Sequence, residues 1–272
     1  MSAAHAPAAV ALLAARGVTV DLGGAPVLRG VDLEVRGHEV VGLLGPNGAG
    51  KSTFLRAATG LVPLAGGSIA VEGVAVDRIA RRDLARAVAV VQQLPEAPGS
   101  MLVEELVLLG RNPHLGLLSR ESAHDYAVAA DAMRRTGCEE FAHRPLRTLS
   151  GGQRRRAFIA RALAQEPRLL LLDEPNANLD VQAQAEAFEL LRALARDGVG
   201  VLVAVHDLTL AAAYCDRVAM LVDGRVIASG APAEVVTSEV VSRVYGDRVI
   251  VIPHPQSGAP IVVPAVMERA DA

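Results

Sequence analysis

Residues Gly45-Pro46-Asn47-Gly48-Ala49-Gly50-Lys51-Ser52-Thr53 fill every fixed position of the phosphate-loop pattern G-x-x-x-x-G-K-[ST]. Their surroundings have the required order, because 39–44 (EVVGLL) reads as a buried strand and 54–58 (FLRAA) as the start of a helix. Glycines let successive backbone N–H groups turn inward around a phosphate, and the N-terminal end of the helix adds partial positive charge at the same point. Lys51 can reach the terminal phosphates of a nucleotide, and Ser52 can ligate Mg²⁺. Nucleotide binding is therefore the first expectation.

Composition sets the outer bounds. With 272 residues the chain has room for one large domain or two small ones, and 51% hydrophobic residues suffice for a substantial core. Aromatics make up 3% and there is no Trp, so the apolar content is Ala, Val and Leu. That balance suits helices packed on a Val/Leu-rich parallel sheet rather than an aromatic-centred binding module. A net charge of -3 argues against a general nucleic-acid binder, and the runs Arg81-Arg82 and Arg154-Arg155-Arg156 read as solvated helix faces. No nucleic-acid partner is expected. Cys138 and Cys215 lack metal-ligand spacing and read as reduced thiols. No stretch reaches the roughly 18 apolar residues of a membrane helix. The Ala-rich start follows no Lys or Arg and is broken by Pro7, which makes a poor secretory signal. Residues 1–10 read as a flexible extension and the first strand lies near 12–21.

Short β-like runs with Gly punctuation at 18–20, 31–35 and 68–71 imply an antiparallel flank. From Glu104 to about 164 the pattern turns helical, and strands return at 199–205, 217–222 and 226–228. A helical insert thus interrupts an α/β core. At its far end Leu149-Ser150-Gly151-Gly152-Gln153 precedes a helical run over 154–165, with Ser150 and two glycines at the helix entrance. By the physics of the first loop this is a second anion-binding helix start. Next comes an apolar strand ending in carboxylates, Leu169-Leu170-Leu171-Leu172-Asp173-Glu174-Pro175. Such a strand, buried on both faces, delivers Asp173 to the Mg²⁺ and sets Glu174 beside the γ-phosphate.

At this point the chain resembles the ATP-binding-cassette (ABC) ATPases, whose signature LSGGQ stands intact at 149–153. The resemblance covers nearly the whole chain. It implies an α/β, P-loop NTPase (RecA-like) core with an antiparallel β flank and an inserted helical subdomain at about 94–163. A single domain over 11–252 and a C-terminal tail over 253–272 are expected. In that family two copies pair head to tail, so the resemblance assigns Ser150, Gly151, Gly152 and Gln153 to ATP in the partner's site. It assigns Gln93, at the end of Val90-Val91-Gln92-Gln93, to Mg²⁺ and the attacking water. The residue before that glutamine is usually proline and here is Gln92, so Gln92 stays an alternative, with Gln93 favoured. Asn178-Leu179-Asp180 resembles the loop that crosses the dimer seam, and His206 the switch histidine at the γ-phosphate. His5, His38, His124 and His143 read as surface residues.

These residues imply ATP hydrolysis by in-line attack of water, with Lys51, Mg²⁺ and backbone donors stabilising the spreading charge and Glu174 polarising the water. One feature departs from the family. Leu22, before Gly23-Gly24, stands where an aromatic residue usually stacks on adenine. A leucine keeps apolar contact but removes ring stacking worth roughly 1 kcal/mol. Modest affinity and relaxed base selectivity are expected.

The stretch Gly110-Arg111-Asn112-Pro113-His114, after an amphipathic helix, and two strand-like runs around a Pro/Gly turn near the chain's end both resemble the importers for ferric siderophores, haem and cobalamin. The first is also compatible with a plain helix-ending turn. The importer resemblance implies a peripheral protein on the cytoplasmic face of the cell membrane, docked on integral-membrane permease subunits, with a substrate-binding protein as an indirect partner. A soluble ATPase of the same superfamily and an exporter subunit are the alternatives.

Overall fold

The computed structural model describes residues 11–93, 95–116 and 119–265. The expected N-terminal extension and His5 lie outside them. The chain runs β1 (Ala11–Leu22), β2 (Ala25–Arg36), β3 (Val40–Leu44), α1 (Lys51–Ala58), β4 (Gly66–Val71), β5 (Val74–Ala75), α2 (Arg81–Ala87) and β6 (Val88–Val91). The insert follows as α3 (Val103–Leu108), α4 (Ala123–Thr136) and α5 (Gly151–Leu163). The core resumes with β7 (Leu169–Asp173), α6 (Val181–Arg196), β8 (Gly200–Ala204), α7 (Leu208–Tyr214), β9 (Arg217–Val222) and β10 (Arg225–Gly230). Two helices, α8 (Pro232–Val235) and α9 (Ser238–Tyr245), lead to the hairpin β11 (Val249–Pro253) and β12 (Pro260–Pro264).

The central sheet has six strands in the order β10-β9-β3-β8-β7-β6, parallel throughout except for the antiparallel β10 edge. Its middle strands read VVGLL, LLLLD and GVLVA because both faces are covered. Successive side chains point to opposite faces. Val41, Leu43, Leu169, Leu171 and Leu202 meet Phe54 of α1 and the flanking strands, while Val40, Leu44, Leu170, Leu172, Val201 and Val203 meet Phe188 and Leu191 of α6. The flank is a second, antiparallel sheet in the order β2-β1-β4-β5. This is the expected P-loop NTPase core with an antiparallel flank and a helical insert.

Within the insert the helical pattern is less continuous than the sequence suggests, since among the described residues only α3, α4 and α5 are α-helices and short 3-10 turns lie between them. Their junction explains Gly110-Arg111-Asn112-Pro113-His114. A Cβ at Gly110 would stand 2.2 Å from the carbonyl oxygen of Arg161, so only glycine lets this turn touch the end of α5. Arg111 is buried and holds three acceptors, with Nε donating to Asp125 Oδ1 (2.9 Å) and Nη1 to Ala164 O (2.8 Å) and Glu166 Oε2 (2.7 Å). His114 Nε2 meets Gln165 O at 2.9 Å. The stretch thus fastens α3 and α4 onto the end of α5.

Two sequence expectations need correction. The run Arg154-Arg155-Arg156 is not a uniformly solvated face, because Arg155 is only 7% exposed. A boundary at 252 also divides a folded unit, since Pro253 pairs with Pro260 inside the β11–β12 ladder. That hairpin is fixed to α7 by Val262 N donating to Thr209 Oγ1 (2.9 Å), and Val249, Val251 and Val262 pack on the core. His38, His124 and His143 are exposed, and Cys138 and Cys215 are buried and free.

Arg111→Ala leaves Asp125 buried without its cation and is expected to lower unfolding free energy by about 3 kcal/mol. Arg134→Ala, which removes an exposed pair with Asp131, should cost no more than about 0.5 kcal/mol. Urea midpoints followed by circular dichroism check both. The Ser122 hydroxyl, the Ser122 backbone N–H and Arg111 together hold the Asp125 carboxyl far below the usual carboxylate range. A depressed folded-state pKa gives stability that is complete above the unfolded value of about 4 and is lost as pH falls toward the folded one. The gap in melting temperature between the wild type and Asp125→Asn should therefore be flat near neutral pH and shrink below about pH 4.

Candidate functional site

The C-terminal ends of β3, β7 and β8 converge, and the loops leaving them carry most of the candidate residues. After β3 the chain turns at Gly45, with φ of 145°. A Cβ there would lie 2.0 Å from the Leu221 carbonyl oxygen, so the loop can sit against β9 only with glycine at this position. Gly50, also at positive φ, precedes the first turn of α1, which has no side-chain cap. The first backbone N–H groups of α1, from Lys51 through Thr53, therefore remain available to an anion enclosed by Pro46, Asn47, Gly48 and Ala49. Lys51 folds back over this loop, its Nζ donating to the Gly45 (2.7 Å) and Pro46 (3.2 Å) carbonyls. Burial pulls its pKa down, opposed by the charges of Glu174 and Asp173. The site already balances one cation against two carboxylates.

Asp173 ends β7. Its Oδ1 is buried and has no hydrogen-bond partner. Ser52, Gln93 and Asp173 line one cavity of about 290 Å³. A buried, unpartnered carboxylate oxygen across a cavity from a serine hydroxyl is a donor set that fits a hard divalent cation completed by phosphate and water oxygens. The residues present therefore fit Mg²⁺.

Glu174 adopts the left-handed backbone region, with φ of 44°. Its N–H donates to Ala204 O at 2.9 Å, which ties the turn to β8. Such a conformation costs about 1–3 kcal/mol for a non-glycine residue and turns the side chain off the strand direction. Its carboxylate accepts from Gln93 Nε2 at 2.6 Å, and His206 Nδ1 stands 3.7 Å from the same oxygen. His206 follows β8, and the next residue, Asp207, caps α7 by accepting from Leu210 N at 2.9 Å. Of the two glutamines, Gln93 reaches Glu174 with its side chain. Gln92 lends its carbonyl to Arg155. Leu22 lies at the end of β1, 41% exposed.

The remaining candidates form a separate cleft. Ser150, Gly151, Gly152 and Gln153 line it together with Asn178, Leu179 and Asp180, and it shares no lining residue with the Ser52–Asp173 cavity. Ser150 caps α5 by accepting from Gln153 N at 3.2 Å, and Gln153 Oε1 accepts from Ser150 N at 3.1 Å. Asp180 caps α6, accepting from Ala183 N at 2.8 Å. The chain thus gathers the phosphate loop, Gln93, Asp173, Glu174 and His206 in one place and the LSGGQ edge in another. Sequence reasoning missed Arg155, although its spacing gave a signal: it lies three and four residues before the buried Phe158 and Ile159.

Residues 28–177 match the family described as ABC transporter. The chain is 49% identical over 253 residues to the hemin import ATP-binding protein of Streptomyces coelicolor, spanning 93% of this chain and 90% of that protein. It is 39% identical to the ferric enterobactin transport ATP-binding protein of Escherichia coli over 94% of both chains. The solved structure of a metal-chelate type ABC transporter in an inward-facing conformation superposes with a TM-score of 0.82 at 26% identity, covering 94% of this chain and 98% of that one. With the family match spanning more than half of its residues and such relatives aligning along nearly all of it, the chain belongs to the ABC transporter family.

Proposed function

We propose that this chain is the ATP-hydrolysing subunit of a membrane importer, working as a head-to-tail pair of copies on permease subunits at the cytoplasmic face of the membrane. The observation that carries the reading is the convergence of Gln93 and His206 on the Glu174 carboxylate beside the phosphate loop, with the LSGGQ edge set apart in its own cleft. Each copy then holds half of two composite sites. The cargo class is an iron-siderophore, haem or cobalamin-type chelate. This is supported by the relatives that import hemin and ferric enterobactin and by the metal-chelate transporter of the same fold. A substrate-binding protein would deliver the cargo without touching this chain.

In this reading the loop amides and Lys51 hold the phosphates. Ser52, Asp173 and Gln93 would hold Mg²⁺, which supplies charge neutralisation between the phosphates when bound. Glu174 needs only to accept a hydrogen bond from water to orient and polarise it, and His206 and Gln93 set the direction of its carboxylate. Ser150, Gly151 and Gly152 of the second copy close over the γ-phosphate. The alkyl side chain of Leu22 covers the base without stacking on it.

Glu174→Gln is expected to keep ATP binding and to lower turnover by about 100-fold or more, since one polarising group is removed while the phosphate cradle stays intact. Phosphate release and equilibrium ATP binding measured on the same preparation check this, and near-normal turnover would sink the assignment. Leu22→Tyr should restore stacking worth roughly 1 kcal/mol and tighten ATP about fivefold. Competition of GTP against a fluorescent ATP analogue gives the companion reading, because strict rejection of GTP by the wild type contradicts the role given to Leu22.

A further inference from the structure

Arg155 belongs to α5, four residues after Gly151 and so about one helical turn from the LSGGQ edge. It is 7% exposed, burial pulls its pKa down, and among the described residues no carboxylate pairs with it. An uncompensated buried guanidinium is costly unless its N–H groups are well satisfied. Here Nη1 donates to the Gln92 carbonyl at 3.0 Å and Nη2 to the Gln93 carbonyl at 2.9 Å, just past the end of β6. The planar fork spaces its two donors rigidly, so it fixes two consecutive peptide planes at once. The second of those residues is the one whose side chain reaches Glu174 at 2.6 Å. Arg154 differs from it, lying over the Phe158 ring at 5.8 Å.

We propose that Arg155 is a positioning residue that couples the two half-sites of one subunit. Contact of the partner's nucleotide with Ser150–Gly152 moves the first turn of α5. Arg155 carries that movement to the backbone of Gln92 and Gln93, and the Gln93 amide passes it to the Glu174 carboxylate. The readiness of each site thus depends on occupancy of the other. The inference rests on the paired ATPase reading above.

The test compares wild type, Arg155→Met, Arg155→Lys and, as a control, Arg154→Met. Each full-length chain is purified with its permease and assayed for ATP hydrolysis in liposomes. Arg155→Met should lower kcat about tenfold through misplacement of Gln93 and Glu174, while KM for ATP stays within about twofold. Its Hill coefficient should fall from a wild-type value above 1 to about 1. Arg155→Lys, with one directed donor in place of a fork, should recover part of both losses, and Arg154→Met should match the wild type. A wild-type coefficient of 1, an Arg155→Met protein with wild-type kcat and coefficient, or a fall in kcat with an unchanged coefficient overturns the coupling. Should Arg155→Met fail to fold, Arg155→Lys decides: a lowered coefficient supports the proposal and a wild-type one overturns it. A wild type without ATP hydrolysis strikes the proposed function itself, whereas an active wild type with indifferent variants strikes only the coupling.

Discussion

A strand covered on both faces has no place for a charged side chain except where it ends. β3, β7 and β8 are buried along nearly all of their length, and the polar residues of the site appear as each strand leaves the sheet. The parallel arrangement brings those exits to one edge, so Gly45, Asp173, Glu174 and His206 converge although up to about 160 residues separate them in sequence. The six-stranded core is therefore both the main hydrophobic element and the alignment device. Its stiffness lets Glu174 keep a left-handed backbone, because the carbonyl of Ala204 on the neighbouring strand holds that turn in place.

The legible parts of this chain are those whose meaning is local. The phosphate loop, the Leu169–Asp173 strand and the LSGGQ helix start each place their chemistry within a few consecutive residues, and each forms the element the sequence implied. The strands β3, β7, β8 and β9 were legible for the same reason, since apolar runs announce strands buried on both faces, whereas β6 at the sheet edge was not read as a strand. What the sequence hid depends on groups contributed from afar. Arg155 looked like one of three solvated arginines because its partners are backbone carbonyls some 60 residues upstream, and a carbonyl leaves no mark in the residue type. Arg111 was hidden likewise, since its ligands come from α4 and from the end of α5. The C-terminal hairpin was readable from its Pro/Gly turn, but its attachment to α7 hangs on the Thr209 hydroxyl.

The helices of the insert are fastened to one another by a few specific contacts, while a continuous buried apolar cluster joins them to α6 and the sheet. Gly110 sets the closeness of approach, Arg111 its charge balance, and pairs such as Arg135–Asp197 and Arg156–Glu186 span from α4 and α5 to α6. The exposed Arg135–Asp197 pair contributes little stability and breaks at little cost, whereas Arg156–Glu186 is half-buried. The buried contacts hold the insert together and bind it to α6 and the sheet.

The capping box at Ser150 divides one hydroxyl between two duties. The oxygen accepts from the Gln153 N–H, which occupies a lone pair but leaves the hydroxyl proton free. In the proposed dimer that proton is available to a phosphate oxygen of the partner's nucleotide, so the group that starts the helix also serves the neighbouring site. Removing the hydroxyl would fray α5 and delete a phosphate donor together, whereas threonine would keep both functions at the cost of a methyl group in the seam. Helix integrity and nucleotide contact are thus bound to a single oxygen atom.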